Sequence, residues 1–247
     1  GKLVVLGGGK SGIGTSLLAK KNGWDVFLSE IDIIQDKEVL INNDIKWEEK
    51  GHSLEKILSA SEIVKSPGIP DEIPLIKEIQ SRRIPIISEI EFASRYTNAK
   101  IIGVTGSNGK TTTTLLIGHI LKKAGYDVLI AGNIGISFAK SIYERDYNYI
   151  VLELSSFQLD GIIGFRADIS IILNITPDHL DRYENNFQKY IESKLRITKN
   201  QKKEDVLIYN LDDQNIIKNI ISEAIMIPFS LEKEFINDGA YYKNKQI

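Results

Sequence analysis

Apolar and polar positions fall into blocks whose order repeats along the chain. Lys2 to Leu6 is a short apolar, β-branched run that ends in glycines, and it predicts a strand. Ser11 to Asn22 predicts a helix and Asp25 to Leu28 a second strand. Strand, glycine turn, helix and strand in that order imply a parallel sheet. Looser units follow: a helix over Leu54 to Ser59, a strand over Glu62 to Lys65 and a turn at Ser66-Pro67-Gly68. A helix over Leu75 to Arg82, a strand over Pro85 to Ile87 and a helix over Glu89 to Tyr96 complete this half. Thr97-Asn98-Ala99 reads as a hinge.

A second series then begins. Ile101 to Thr105 predicts a buried strand, followed by a glycine loop and a helix from Lys110 to Ala124. Strands are predicted at Asp127 to Ala131, Tyr149 to Leu154 and Val206 to Asn210, and a helix at Phe187 to Asn200. Ile169 to Asn174 is mainly apolar, as a central parallel strand requires. Phe235 to Tyr242, with Asp238-Gly239 inside it, reads as a hairpin. The fold class is therefore α/β. Residues 1–96 are expected to form a Rossmann-like parallel-sheet domain, and residues 97–247 a P-loop-type α/β domain that stops short of completion.

Composition narrows the function. A chain of 247 residues has room for two domains. Lys plus Arg is 31 against 33 Asp plus Glu, so the net charge of -2 creates no field favouring nucleic acid or an anionic membrane. The absence of Cys excludes disulfides, thiolate metal sites and a cysteine nucleophile. No apolar run has membrane-spanning length and no signal peptide precedes the first strand, so a cytoplasmic location is expected. Gly1 running straight into a strand suggests a trimmed start.

Two glycine loops carry the candidate chemistry. Gly7-Gly8-Gly9-Lys10-Ser11-Gly12 fits G-x-G-x-x-G between a strand and a helix, where the backbone can approach a diphosphate. Glu30, near the end of the next strand, is placed to bind a ribose hydroxyl. The same residues also admit NAD, or a tight turn with no ligand. Ser66-Pro67-Gly68 would add N–H groups at the same sheet edge. Gly106-Ser107-Asn108-Gly109-Lys110-Thr111 is more specific: successive N–H groups make an anion nest, Lys110 reaches the outer phosphates of ATP and Thr111 reaches Mg²⁺. It departs from G-x-x-x-x-G-K-[ST], because Val104 stands at the first glycine position between Gly103 and Gly106.

Other candidates lie downstream. Glu153 ends a buried strand and is placed for Mg²⁺; a helix-capping glutamate is the rival reading. His179 sits in the polar loop Thr176-Pro177-Asp178-His179-Leu180-Asp181-Arg182 and is read as a metal ligand. His52 and His119 are read as bland. Lys194 falls seven positions after Phe187, on the apolar helix face. Burial there disfavours the ammonium, and a neutral amine can take up CO₂ as a carbamate, an oxygen ligand for Mg²⁺. On pattern alone a snorkelling lysine is the simpler reading.

Taken together, these segments resemble the Mur ligases. The resemblance rests on Gly103 to Thr111, Gly132-Asn133-Ile134-Gly135, Leu152-Glu153-Leu154-Ser155-Ser156-Phe157-Gln158-Leu159, Asn174 to Tyr183 and Ser193-Lys194-Leu195-Arg196. The Glu-Leu-Ser-Ser-Phe-Gln block points to the D-glutamate-adding branch. The resemblance implies three domains: one for the UDP part of the substrate, one for ATP, and a third, beyond this chain, that closes over both. It implies ATP with two Mg²⁺ ions as cofactors, a carbamylated Lys194, and UDP-N-acetylmuramoyl-L-alanine and D-glutamate as substrates of a monomer. It assigns Lys10, Ser11, Ser29, Glu30 and Ser66 to Gly68 to the uridine diphosphate, although Lys10 and Glu30 depart from the residues typical of the family. It assigns Asn133, Ser155, Gln158 and His179 to the substrate side, residues 106–112 including Thr112 to ATP, and Lys110, Glu153, His179 and Lys194 to catalysis, with Thr111, Glu153, His179 and Lys194 as metal ligands. On this reading the chain alone binds nucleotides but forms no amide bond. The rivals are a folate polyglutamate ligase, an NAD-linked regulator and an autonomous two-domain binding module.

Overall fold

The computed structural model describes residues 1–234 and 238–242. They form two compact units: Gly1–Asn98 with Gly135–Asp146 and Gly161–Phe165, and Ala99–Ile134 with Tyr147–Asp160 and the described residues from Arg166 onward.

The first unit holds β1 (Lys2–Leu6), α1 (Lys10–Lys21), β2 (Asp25–Ser29), α2 (Lys37–Asn42), β3 (Lys46–Glu48), α3 (Leu54–Leu58), β4 (Glu62–Lys65), α4 (Pro74–Ser81), β5 (Ile86–Ile87) and α5 (Glu89–Ser94). Its parallel sheet has the order β3-β2-β1-β4-β5, with Val4 beside Phe27 on one side and Ile63 on the other. Val4, Leu6, Phe27, Ile57, Ile63, Ile76 and Ile79 close a core on that sheet. The strand order reverses between β1 and β4, the place where open α/β sheets bind ligands beyond the carboxyl ends of their strands.

Two carboxylates of α5 hold the returning segments in this unit. Glu89 accepts from the Ser137 hydroxyl and the Ala139 N–H. Glu91 accepts from the N–H groups of Ile163, Gly164 and Phe165. Both glutamates are buried, and donors of this number are what make a buried carboxylate tolerable. The helix between Ser137 and Arg145 follows in chain order after the second glycine loop. It is therefore α7, preceded by β6 (Lys100–Thr105), α6 (Lys110–Lys123) and β7 (Val128–Gly132) of the second unit. α7 itself spans Phe138–Glu144.

The second unit continues through β8 (Tyr149–Glu153), α8 (Ser156–Asp160), β9 (Ile169–Ile172), α9 (Phe187–Leu195), β10 (Val206–Asn210), α10 (Gln214–Ile217), β11 (Ile225–Ser230) and β12 (Ala240–Tyr241). Its sheet is parallel, in the order β12-β11-β10-β9-β6-β8-β7. Ile102, Val104, Val128, Val151 and Ile171 form its core. Val104 thus packs in the central strand, which explains why glycine is not needed there. Gly103 is the tight position, since an added Cβ would lie 3.1 Å from Ile197 Cδ1 and 3.2 Å from Leu154 Cδ1.

The α/β class with two parallel sheets agrees with the sequence reading. The expected hairpin over Phe235 to Tyr242 falls partly on residues outside those described. Its first arm, 235–237, is not among them, and its second, Ala240–Tyr241, pairs parallel to β11. Among the described residues, no helix is long and apolar enough to cross a membrane.

Candidate functional site

In the second unit, β6 delivers the chain into the loop 106–109. Gly106 has φ +153° and Gly109 has φ +83°, conformations that glycine adopts without strain. α6 then starts at Lys110. Its first helical bond runs from Thr113 N–H to Gly109 O, so the N–H groups of Lys110, Thr111 and Thr112 have no acceptor within the helix. Those groups and the positive helix end form an anion-binding corner. The Lys110 ammonium folds back and donates to Gly106 O at 2.8 Å and Ser107 O at 3.1 Å.

Glu153, 2% exposed at the end of β8, accepts from the Thr111 hydroxyl at 2.7 Å and from Asn133 Nδ2 at 2.9 Å. Asn133 N–H also donates to Glu153 O at 2.8 Å. This approach depends on Gly132, where a Cβ would lie 2.2 Å from Glu153 O. Thr111, Asn133 and Glu153 are therefore brought together, and the hydroxyl and carboxylate are the hard oxygen donors that suit Mg²⁺.

Lys194 is 2% exposed on α9 and donates to the same Gly106 O at 2.9 Å. Its Nζ lies 4.8 Å from the Tyr190 ring centre. Burial first, and the like charge of Lys110 second, pull its pKa down to about 7, against the opposing pull of Asp178 and Asp160. It is a core lysine and not a snorkelling one.

His179 lies in the segment between β9 and α9. Its side chain is 56% exposed, with Nε2 3.5 Å from the Asp178 carboxylate and the ring 5.4 Å from that of Phe157. Among the described residues, no group of three or more His, Asp or Glu side chains is gathered as a metal centre. Ser155 and Gln158 cap α8: Gln158 Oε1 accepts from Ser155 N–H at 3.0 Å and Oγ at 3.1 Å.

The remaining loop residues are tied to the end of β9. Asn108 N–H donates to Asn174 Oδ1 at 2.8 Å, and Asn174 Nδ2 donates to Asn108 O at 3.0 Å. Ser107 N–H donates to Asn174 O at 2.9 Å. The Ser107 hydroxyl donates to Thr176 O and accepts from Thr176 N–H, both at 2.9 Å, with Tyr190 Oη 3.2 Å away. Sequence reading gave Asn174 and Tyr190 no role of their own, and only the end-of-strand position of Asn174 hinted at one.

In the first unit, Gly7 has φ +107°, and α1 packs so closely that a Cβ at Gly12 would lie 1.9 Å from Gly7 O. The Glu30 carboxylate accepts from Gly8 N–H and Asp32 N–H. Burial raises its pKa, but these backbone donors outweigh burial and hold it below the ordinary range. Ser29, 0% exposed, donates to Glu48 Oε1 at 2.7 Å and lies 2.7 Å from His52 Nδ1. With the Ser29 proton given to Glu48, His52 Nδ1 carries a hydrogen and donates to Ser29 Oγ. His52 thus joins the polar cluster at the sheet edge. Ser66 sits beside Gly7, and Ile69 N–H donates to Ser66 O in the turn through Pro67 and Gly68. Lys10 and Ser11 open α1, with Lys10 exposed.

Residues 104–246 match the sequence profile of the Mur ligase middle domain. The chain belongs to the Mur ligases. A UDP-N-acetylmuramoylalanine–D-glutamate ligase of Christiangramia forsetii is 51% identical over 251 aligned positions, covering 100% of this chain and 56% of that protein. The protein of the same name from Bacteroides fragilis is 53% identical over 238, covering 94% and 54%. The chain thus spans about half the length of the curated relatives it matches. Among solved structures, UDP-N-acetylmuramate:L-alanyl-gamma-D-glutamyl-meso-diaminopimelate ligase from Neisseria meningitides superposes with TM-score 0.62 at 18% identity, over 92% of this chain and 77% of that one. The UDP-N-acetylmuramate–alanine ligase of Thermotoga maritima gives 0.55 at 23%, over 94% and 53%. At these identities the structures establish a shared Mur-ligase fold.

Proposed function

We propose that this chain carries the nucleotide-handling part of a cytoplasmic, ATP-dependent ligase that joins D-glutamate to UDP-N-acetylmuramoyl-L-alanine, as a monomer. The observation that carries the reading is the Thr111–Glu153 pair beside the loop 106–112, with the buried Lys194 amine behind it. The 51% and 53% identities to relatives of that name support the acceptor. Residues 1–96 take the UDP part, through the loop 7–12, Ser29, Glu30 and Ser66 to Gly68. Residues 97–247 take ATP.

The reaction follows from the groups present. The alanyl carboxylate oxygen attacks the γ-phosphorus of ATP, the bond to ADP breaks, and an acyl phosphate forms. The D-glutamate amine then attacks the acyl carbon, loses a proton and expels phosphate. Lys110 leaves the loop carbonyls to meet the phosphates, and the first turn of α6 donates N–H groups to them. Thr111 and Glu153 and, on the family pattern, His179 and a carbamate on Lys194 would hold Mg²⁺, which would supply charge neutralisation there. A neutral Lys194 amine is the form that takes up CO₂. On the family pattern Asn133, Ser155, Gln158 and His179 serve the substrate.

Calorimetry with UDP-N-acetylmuramoyl-L-alanine, UDP and NAD in one series tests the first-unit assignment. The UDP compounds are expected to bind and NAD to give no heat. Binding of NAD without UDP would overturn the reading in favour of an NAD-linked protein.

A further inference from the structure

The loop 106–109 is held from one side by a single carboxamide. Asn174 Oδ1 takes the Asn108 N–H and Asn174 Nδ2 gives a hydrogen to Asn108 O, so the side chain pairs with Asn108 as a neighbouring strand would. The two backbone partners fix which end of the amide is oxygen. Asn174 O takes the Ser107 N–H as well. The backbone donors of Ser107 and Asn108 are therefore directed at the end of β9, and their sequence-based place among the phosphate donors needs a different account. The N–H groups that open α6, at Lys110, Thr111 and Thr112, have no acceptor within the helix and are directed to an anion.

We propose that Asn174 is a positioning residue of the phosphate loop, which sets residues 107 and 108 before a polyphosphate arrives so that the first turn of α6 faces it. This rests on the reading of residues 106–112 as a polyphosphate site. Two further contacts act in the same direction. The Ser107 hydroxyl is locked between Thr176 O and Thr176 N–H, and Tyr190 Oη closes over it. A loop fixed in advance loses less conformational freedom on binding, and the gain appears as affinity without any contact between Asn174 and the ligand.

The test uses this chain with inorganic triphosphate and MgADP as probes, and amide hydrogen exchange as a second readout. Asn174→Ala removes both halves of the pairing. Asn174→Asp keeps an acceptor for Asn108 N–H and removes the donor to Asn108 O. In Asn174→Ala the Asn108 amide is expected to exchange faster, with β6 amides unchanged, and affinity for both probes to fall by roughly tenfold. Asn174→Asp should keep the Asn108 amide protected and still bind triphosphate more weakly. Wild-type affinity in Asn174→Ala, with wild-type protein binding both probes, would overturn the positioning role alone. Failure of the wild-type chain to bind either probe would overturn the polyphosphate site and the proposal with it. General exchange of β6 in Asn174→Ala would also overturn it, since Asn174 would then support the sheet rather than the loop.

Discussion

Lys110→Met is expected to weaken MgATP binding by about a hundredfold while leaving the unfolding midpoint within a degree or so of wild type. The side chain is partly buried, and its ammonium donates only to loop carbonyls, Gly106 O and Ser107 O. Those bonds are made by a group that reaches solvent, so their loss costs little stability. Met keeps most of the length and the apolar stem. What it removes is the positive charge that meets the outer phosphates. At about 4 Å and an effective dielectric of about 20, that attraction is about 4 kcal/mol before desolvation, and roughly 3 kcal/mol of it surviving gives the hundredfold. Fluorescence titration with a labelled ATP, beside thermal unfolding of the same samples, measures both quantities. A variant binding MgATP within threefold of wild type would remove Lys110 from the phosphate site.

Lys194→Met is expected to stabilise the chain at pH 6 and less so at pH 9. The folded pKa of Lys194, about 7, lies below its unfolded value, because burial and then Lys110 disfavour the ammonium. Between about pH 7 and pH 10 the unfolded chain holds a proton that the folded chain has released. Wild-type stability therefore rises with pH across that window relative to the variant. Below about pH 7 both states are protonated and the cost of the buried ammonium is present in full. The change from pH 7 to pH 9 is limited to about 1.4 kcal/mol per pH unit, or roughly 2–3 kcal/mol in all. Met fills a similar volume without charge and gives up one hydrogen bond to Gly106 O, a loss of about 1 kcal/mol. Urea midpoints at pH 6, 7.5 and 9 in CO₂-free buffer give the comparison. A difference between the two proteins that is flat with pH would mean that Lys194 titrates as an ordinary lysine.

The residues that the sequence made legible are those whose role is local. β1, β6 and β8 are near-continuous apolar runs because a parallel sheet is covered on both faces, and the glycines after β1 and β6 mark strand-to-helix turns. Lys110 and Thr111 carry a spacing with a mechanism, and Lys194 sits on the buried face that its helical periodicity assigns it. The rest depended on distant partners. α7 lies within residues 97–247, which the sequence reading assigned to the second domain, and yet belongs to the first unit, where it packs on α1 and α5 and Glu89 accepts from Ser137 and Ala139, partners that the local pattern around Phe138 does not encode. α8 is five residues long and opens on the polar pair Ser155 and Gln158, so it reads as loop. β11 contains Pro228, a residue that argues against a strand, and here it lies beside Tyr209 where β12 does not reach. His52 read as bland because its partner Ser29 lies 23 residues earlier, and Asn174 carried no motif for the carboxamide pairing it makes with Asn108.

The central claim is that this site activates a carboxylate by phosphorylation. It is tested most directly by oxygen transfer. UDP-N-acetylmuramoyl-L-alanine labelled with ¹⁸O in its alanyl carboxylate is turned over with ATP and D-glutamate by a polypeptide carrying this chain and the remaining length its relatives have. Formation and breakdown of an acyl phosphate place one carboxylate oxygen in the released phosphate, and mass spectrometry of that phosphate is expected to find a single ¹⁸O per molecule. Amide product accompanied by unlabelled phosphate would contradict the account.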